Sequence, residues 1–285
     1  MKKLLAIWAT LAGLVLLPLA HSQELPTLPT TGNVSSFGGT RVSQKDAARP
    51  APRLADGKPD LSGPWSRGGA NNDFEADAGM KPGELERYML PWAKALKASR
   101  KPEDEPYTAC LPMAPPPAVH AYPWRIVQSY TEKGMSHIFL FHENGDSGAH
   151  RQIFMDGRKH PAPDDMIGTW FGHSIGWWEG DTLVVDTIGY NGKNWYDQTG
   201  VPYTDKLHTI ERYTRPNYGT LIDEFTLDDP GTFTQPLHLK YTATLMKSEL
   251  MEFVCVENNQ YGVAGGFTPG TGVVWEGEKG TAPKN

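Results

Sequence analysis

From Arg125 onward the chain breaks into short β-favouring runs separated by turn residues, and this rhythm restricts the possible folds more than any other feature. Nine runs stand out, over 125–131, 137–142, 151–156, 173–178, 182–188, 207–214, 220–227, 237–246 and 250–256. The links between them include Glu143-Asn144-Gly145-Asp146, Glu179-Gly180-Asp181 and Asn217-Tyr218-Gly219. Links this short join antiparallel neighbours and cannot make parallel crossovers. The pattern predicts a mainly β chain, an antiparallel up-and-down barrel whose closure leaves no strand edge open and whose interior holds one small ligand. The 30 Gly and 24 Pro, beside 30 aromatic residues, suit turns and strands better than long helices.

One N-terminal helix is expected over 84–99, where Leu85, Tyr88, Met89, Trp92 and Leu96 recur at helical spacing and Lys94, Lys97 and Arg100 fall late. Pro91 within it predicts a kink or a late start. Residues 23–60, rich in Pro, Thr, Ser and Gly, read as an extended lead. The barrel domain is expected over 61–261, followed by a Gly-rich tail over 262–285.

Lys2 and Lys3 precede an apolar run from Leu4 to Ala20 and then Ala20-His21-Ser22, the pattern of a secretory signal peptide over 1–22. A periplasmic or secreted protein is expected, with no membrane span once the signal is removed. Its loss takes two Lys and no acid, leaving 25 basic against 33 acidic residues. That balance offers no electrostatic footprint for nucleic acid. In an oxidising compartment Cys110 and Cys255 are expected to bridge, closing a loop worth about 5 kcal/mol by chain entropy, with two buried thiols as the alternative. The sequence carries no signal for an oligomeric state.

Gly172-His173-Ser174-Ile175-Gly176 matches G-x-S-x-G, but the nucleophile elbow needs a strand, a strained turn and a helix. Here a β-hairpin pattern follows instead, so Ser174 reads as a strand residue. His208-Thr209-Ile210-Glu211 has metal-ligating types, yet residues three apart point to opposite faces of a strand. A zinc site from His160, His173 and His208 on separate elements stays open. No H-E-x-x-H, EF-hand, P-loop or G-x-G-x-x-G motif is present, and neither a metal nor a cofactor is expected.

More informative are the polar residues set within apolar runs: Arg151, Asp156, His173, Asp186, His208 and Arg212. An inward charge costs several kcal/mol unless paired, so inward members should form a hydrogen-bonded network. Alternation places His173, Ile175 and Trp177 on one face, and likewise groups Val184 with Asp186 and His208 with Ile210 and Arg212. His173, His208, Asp186 and Arg212 are therefore the candidate catalytic set, capable of proton transfer beside an anion-stabilising cation. Arg151, Trp170, Trp177 and Trp195 are the candidate substrate-binding residues, for an aromatic, terpenoid or sugar-derived ligand. An acid–base lyase, isomerase or hydrolase is the preferred expectation. A non-catalytic carrier of a small hydrophobic ligand is the alternative.

Arg151-Gln152-Ile153-Phe154-Met155-Asp156-Gly157-Arg158-Lys159-His160-Pro161, Gly172-His173-Ser174-Ile175-Gly176 running through Trp178-Glu179-Gly180-Asp181 to Thr187, and Leu207-His208 with Glu211-Arg212 resemble a large family of exported bacterial proteins of unassigned activity. Leu90 to Leu96, Cys110-Leu111-Pro112, Asp229-Pro230 and Val254-Cys255 extend the resemblance over most of 58–260. It implies export and a shared architecture, without specifying a reaction. The chain departs from the pattern at Trp177, where arginine is usual, and at Tyr203-Thr204, where His-Ser is common. Gly63-Pro64-Trp65 after Asp60-Leu61-Ser62 is similar to the opening of lipocalin-like barrels, which implies a first strand there; Leu250 to Val256 supplies no arginine to cover the tryptophan.

Overall fold

A computed structural model describes residues 40–67, 74–77, 79–101, 104–106, 110–112, 122–143, 150–197 and 199–252. Nine strands close into one barrel in chain order: β1 (Gly63–Ser66), β2 (Trp124–Thr131), β3 (Gly134–His142), β4 (His150–Phe154), β5 (His173–Glu179), β6 (Thr182–Ile188), β7 (His208–Asn217), β8 (Thr220–Asp228) and β9 (Leu237–Leu245). Eight of the expected runs are strands. The ninth strand of the barrel is β1, which pairs Trp65 with Leu245 and so closes the sheet. The expected run 250–256 begins outside any strand, and from residue 253 it lies outside the described residues, as does the tail.

One pairing departs from the antiparallel expectation. β4 and β5 run parallel, with Ile153 opposite Ser174 and Phe154 opposite Ile175. A turn-sized link reverses the chain and so joins only antiparallel neighbours; residues 155–172 are long enough to return the chain along the outside of the wall, so that β5 starts in the same direction as β4. Where the links are tight the pairing is antiparallel, as in the β5–β6 hairpin, where Glu179 pairs with Thr182 around Gly180-Asp181.

Alternation along the strands fills the interior in layers. One end holds Trp65, Trp124, Ile138, Leu140, Ile153, Leu183, Val185 and Leu245. The other end holds Leu207, Phe225, Leu227, Leu237 and Leu239, packed against Leu85, Met89 and Ala93. Between them lies a polar layer centred on Arg151, whose side chain is 2 % exposed. Its guanidinium donates to Glu211 Oε1 at 2.8 Å, to Thr187 Oγ1 at 2.7 Å and to Ser174 Oγ at 3.0 Å. The Tyr213 hydroxyl donates to the same Glu211 oxygen at 2.6 Å. Burial works against the charge on Arg151, and the adjacent Glu211 more than offsets it, lifting its pKa above the usual guanidinium value. Burial and then the Glu211 charge push the nearby Asp223 carboxyl well above the ordinary carboxylate range.

Among the described residues, little open space is left beside this layer. The space lined by Trp124, Tyr213, Asp223 and Tyr241 is about 10 Å³, no more than one water molecule. Trp65, fully buried, is covered by the Arg215 guanidinium 4.8 Å above its ring, so the covering arginine comes from β7.

The expected helix divides at its proline. Leu85–Arg87 forms a 3-10 turn, and an α-helix runs over Pro91–Ser99 with Pro91 in its first turn, where the missing N–H has no helical partner to lose. Among the described residues, further single turns occur at Gln44–Ala47, Phe74–Asp77 and Pro163–Asp165, and the described part of the lead lies against the barrel, with Val42 N donating to Leu245 O and Arg53 paired with Asp181. Cys110 is nearly buried; its expected partner Cys255 lies outside the described residues.

Replacing Arg151 by Met leaves Glu211 beside Asp223 without a cation. Urea unfolding should show a loss of about 3–5 kcal/mol, and the double replacement Arg151→Met with Glu211→Met should recover most of it. An unchanged midpoint for the single variant would contradict a buried ion pair at the centre of the wall.

Candidate functional site

The same alternation that turns Ser174, Thr187 and Glu211 inward turns His173, Asp186 and His208 outward. The candidate set thus shares one face, as expected, but that face is the outer wall of the barrel and not its lumen. Cross-strand register brings the three together: Ile175 pairs with Asp186, Asp186 with Ile210, and His173 with Ile188.

His160 completes the group, arriving from the link 155–172. That link is tied down along its length. Met155 N donates to Ser136 O, the Arg158 guanidinium lies 3.8 Å from the Phe154 ring centre while paired with Asp156, and Thr169 N donates to Gly189 O. At its end Gly172 has φ +67°, and a Cβ there would sit 2.7 Å from Ile188 O, so no other residue fits the return into β5.

The four side chains form a continuous chain of contacts. His173 Nδ1 is 2.8 Å from His160 Nδ1, His160 Nε2 is 3.2 Å from Asp186 Oδ1, and His208 Nε2 is 2.9 Å from the same oxygen. The His173 ring also stacks on Phe154 at 5.1 Å and meets His160 edge-on at 5.0 Å.

The hydrogen bonds dictate the tautomers. Burial raises the Asp186 pKa, but hydrogen bonds and charge from His208 and His160 outweigh it and hold the carboxyl below its ordinary value. The carboxylate can only accept, so His208 and His160 each donate through Nε2. A neutral His160 then presents a lone pair at Nδ1 and accepts the Nδ1 proton of His173. His173 is left with an unprotonated Nε2. Burial, followed by the charges of His160 and Arg158, lowers the His173 pKa and favours this neutral base. The Asp186 hydrogen bond raises that of His208 against the opposing effect of burial.

His173 opens on a cleft of about 440 Å³, a size typical of small-molecule sites. Thr169, Trp170, Phe171 and Gly172 of the link form one side, and His150, Gln152 and Phe154 of β4 another, with Leu111 and Pro112 alongside.

The remaining expected residues fall elsewhere. Arg212 faces outward with His208 but four residues along the strand, about 13 Å away at the usual rise, and pairs with Glu179 at 2.7 Å in solvent. Arg151 belongs to the interior layer and cannot reach a ligand in the cleft. Trp177 is 40 % exposed and donates to Glu179, while Trp195 is buried beneath Arg100. Of the four proposed binding residues only Trp170 lines the cleft. Ser174 is buried against Arg151 and Thr187, which removes it as a nucleophile. The sequence marks His160 only as one of three histidines weighed for zinc; among the described residues no cluster of three or more His, Cys, Asp or Glu is arranged to hold a metal ion.

Comparison of the chain with family models, with curated proteins and with solved structures finds no match.

The raised His208 pKa fixes the sign of a stability effect. Its contribution is fully present below the unfolded value of 6.5 and is lost as pH rises through the higher folded value. His208→Gln should therefore lower the melting temperature more at mildly acidic pH than at alkaline pH. An equal or larger effect at alkaline pH would mean that no charged pair forms with Asp186.

Proposed function

We propose that the protein is an exported acid–base enzyme of the lyase, isomerase or hydrolase class, acting on an aromatic, terpenoid or sugar-derived compound. The observation that carries this reading is the chain of contacts from His173 at the cleft through His160 to Asp186 and His208. His173 Nε2 takes the substrate proton as general base. Its Nδ1 proton can then move to His160, so that the positive charge forms next to the Asp186 carboxylate instead of at the cleft. His208, 37 % exposed at its side chain, is the contact of the chain with bulk water. His160 and Asp186 act as positioning residues through His173. Export is supported by the signal-like residues 1–22 and by the family resemblance, and a Cys110–Cys255 bridge suits that compartment. The carrier alternative draws its support from a ligand cavity inside the barrel, and the packed Arg151 layer argues against it.

Proton abstraction is testable before the complete reaction is known. Candidate compounds incubated with the protein in D2O should incorporate deuterium at one carbon, followed by NMR. His173→Gln should slow this by roughly 10²–10⁴-fold, the usual range for a general base. Asp186→Asn, which permits the wrong His160 tautomer, should slow it as well, with the melting temperature of both variants within a few degrees of the parent. The rate should fall as pH drops below the ordinary histidine value and His173 gains its proton. Exchange that is insensitive to His173→Gln would remove the proposal.

A further inference from the structure

We infer that the cleft binds an uncharged, flat aromatic compound through a hydroxyl group donated to His173 Nε2; this rests on the acid–base reading and narrows its substrate. Charge is the first discriminator. Among the described residues that line the cleft there is no Asp, Glu, Lys or Arg. Arg158, whose charge acts on His173, is committed to Asp156 and to the face of Phe154. A carboxylate, phosphate or ammonium group entering here would lose hydration with no opposite charge among those lining residues to offset it, which is costly.

Shape is the second discriminator. Trp170 and Phe171 from the link line the cleft beside the His173 ring, which is itself held flat against Phe154, so the lining favours a flat aromatic ligand. The third discriminator is the direction of the hydrogen bond. With Nδ1 of His173 given to His160, Nε2 is the nitrogen available to a ligand, and it accepts. The ligand must supply a donor, so a phenol-type hydroxyl fits where the corresponding ether does not.

The test is a binding panel on the full chain near pH 7, where an aryl hydroxyl keeps its proton: 2-naphthol, 2-methoxynaphthalene, 2-naphthoate and 2-naphthylmethylammonium, followed by calorimetry and by the His173 ring signals in NMR. 2-Naphthol should bind tightest, with the ether weaker by roughly five- to tenfold and the two ions weaker by at least as much. Phe171→Ala should weaken 2-naphthol while leaving the melting temperature within a few degrees of the parent. Equal or tighter binding of the naphthoate, the ammonium or the ether would overturn the inference, as would no binding by any of the four. The two readings fail separately. Should 2-naphthol bind as expected while deuterium exchange proves independent of His173, the acid–base reading falls and the ligand class stands. Should exchange depend on His173 while the naphthoate binds tighter, the ligand class falls and the acid–base reading stands.

Discussion

The buried guanidinium of Arg151 ties together four neighbouring strands of the barrel. Arg151 projects from β4 and binds β5 through Ser174, β6 through Thr187 and β7 through Glu211. An isolated charge in this position would cost many kcal/mol, and only the complete set of partners makes it tolerable. The four strands are thereby held in one register. His173 precedes Ser174 and Asp186 precedes Thr187, so the residues that grip Arg151 inside the wall are the chain neighbours of those that carry the outer site. The buried network and the candidate site occupy opposite faces of the same short stretch of sheet.

The parallel pairing of β4 with β5 matters for the same reason. A parallel neighbour needs a long connection, and residues 155–172 both supply it and use it. They bring His160 between His173 and Asp186, and they place Trp170 and Phe171 along the cleft. The departure from regular topology is what assembles the candidate site.

Much of the barrel was legible because period-two alternation and turn residues are local signals, and eight strands fall where those signals put them. β1 is only four residues long and carries Pro64, so it was visible chiefly through its resemblance to the opening of other barrels. Alternation also grouped His173, Asp186, His208 and Arg212 on one face. It could not say whether that face was inside or outside, because the outward residues Val184 and Ile210 are as apolar as a lumen would require. Arg151 and Trp195 were misread for a related reason: a polar or aromatic residue in a strand looks the same whether it fills a core or meets a ligand. His160 escaped because it sits in a loop, where no periodicity predicts the partner; only the path of the link over the wall brings it to Asp186.

The ring nitrogens of His173 and His160, observed by 15N NMR at neutral pH, report most directly on whether this chain of contacts works as a relay. Protonation of His160 at Nε2 and of His173 at Nδ1, with both signals shifting together through a coupled titration and uncoupling in Asp186→Asn, is the predicted result. Two imidazoles that titrate independently, or a His173 protonated at Nε2 when neutral, would contradict it.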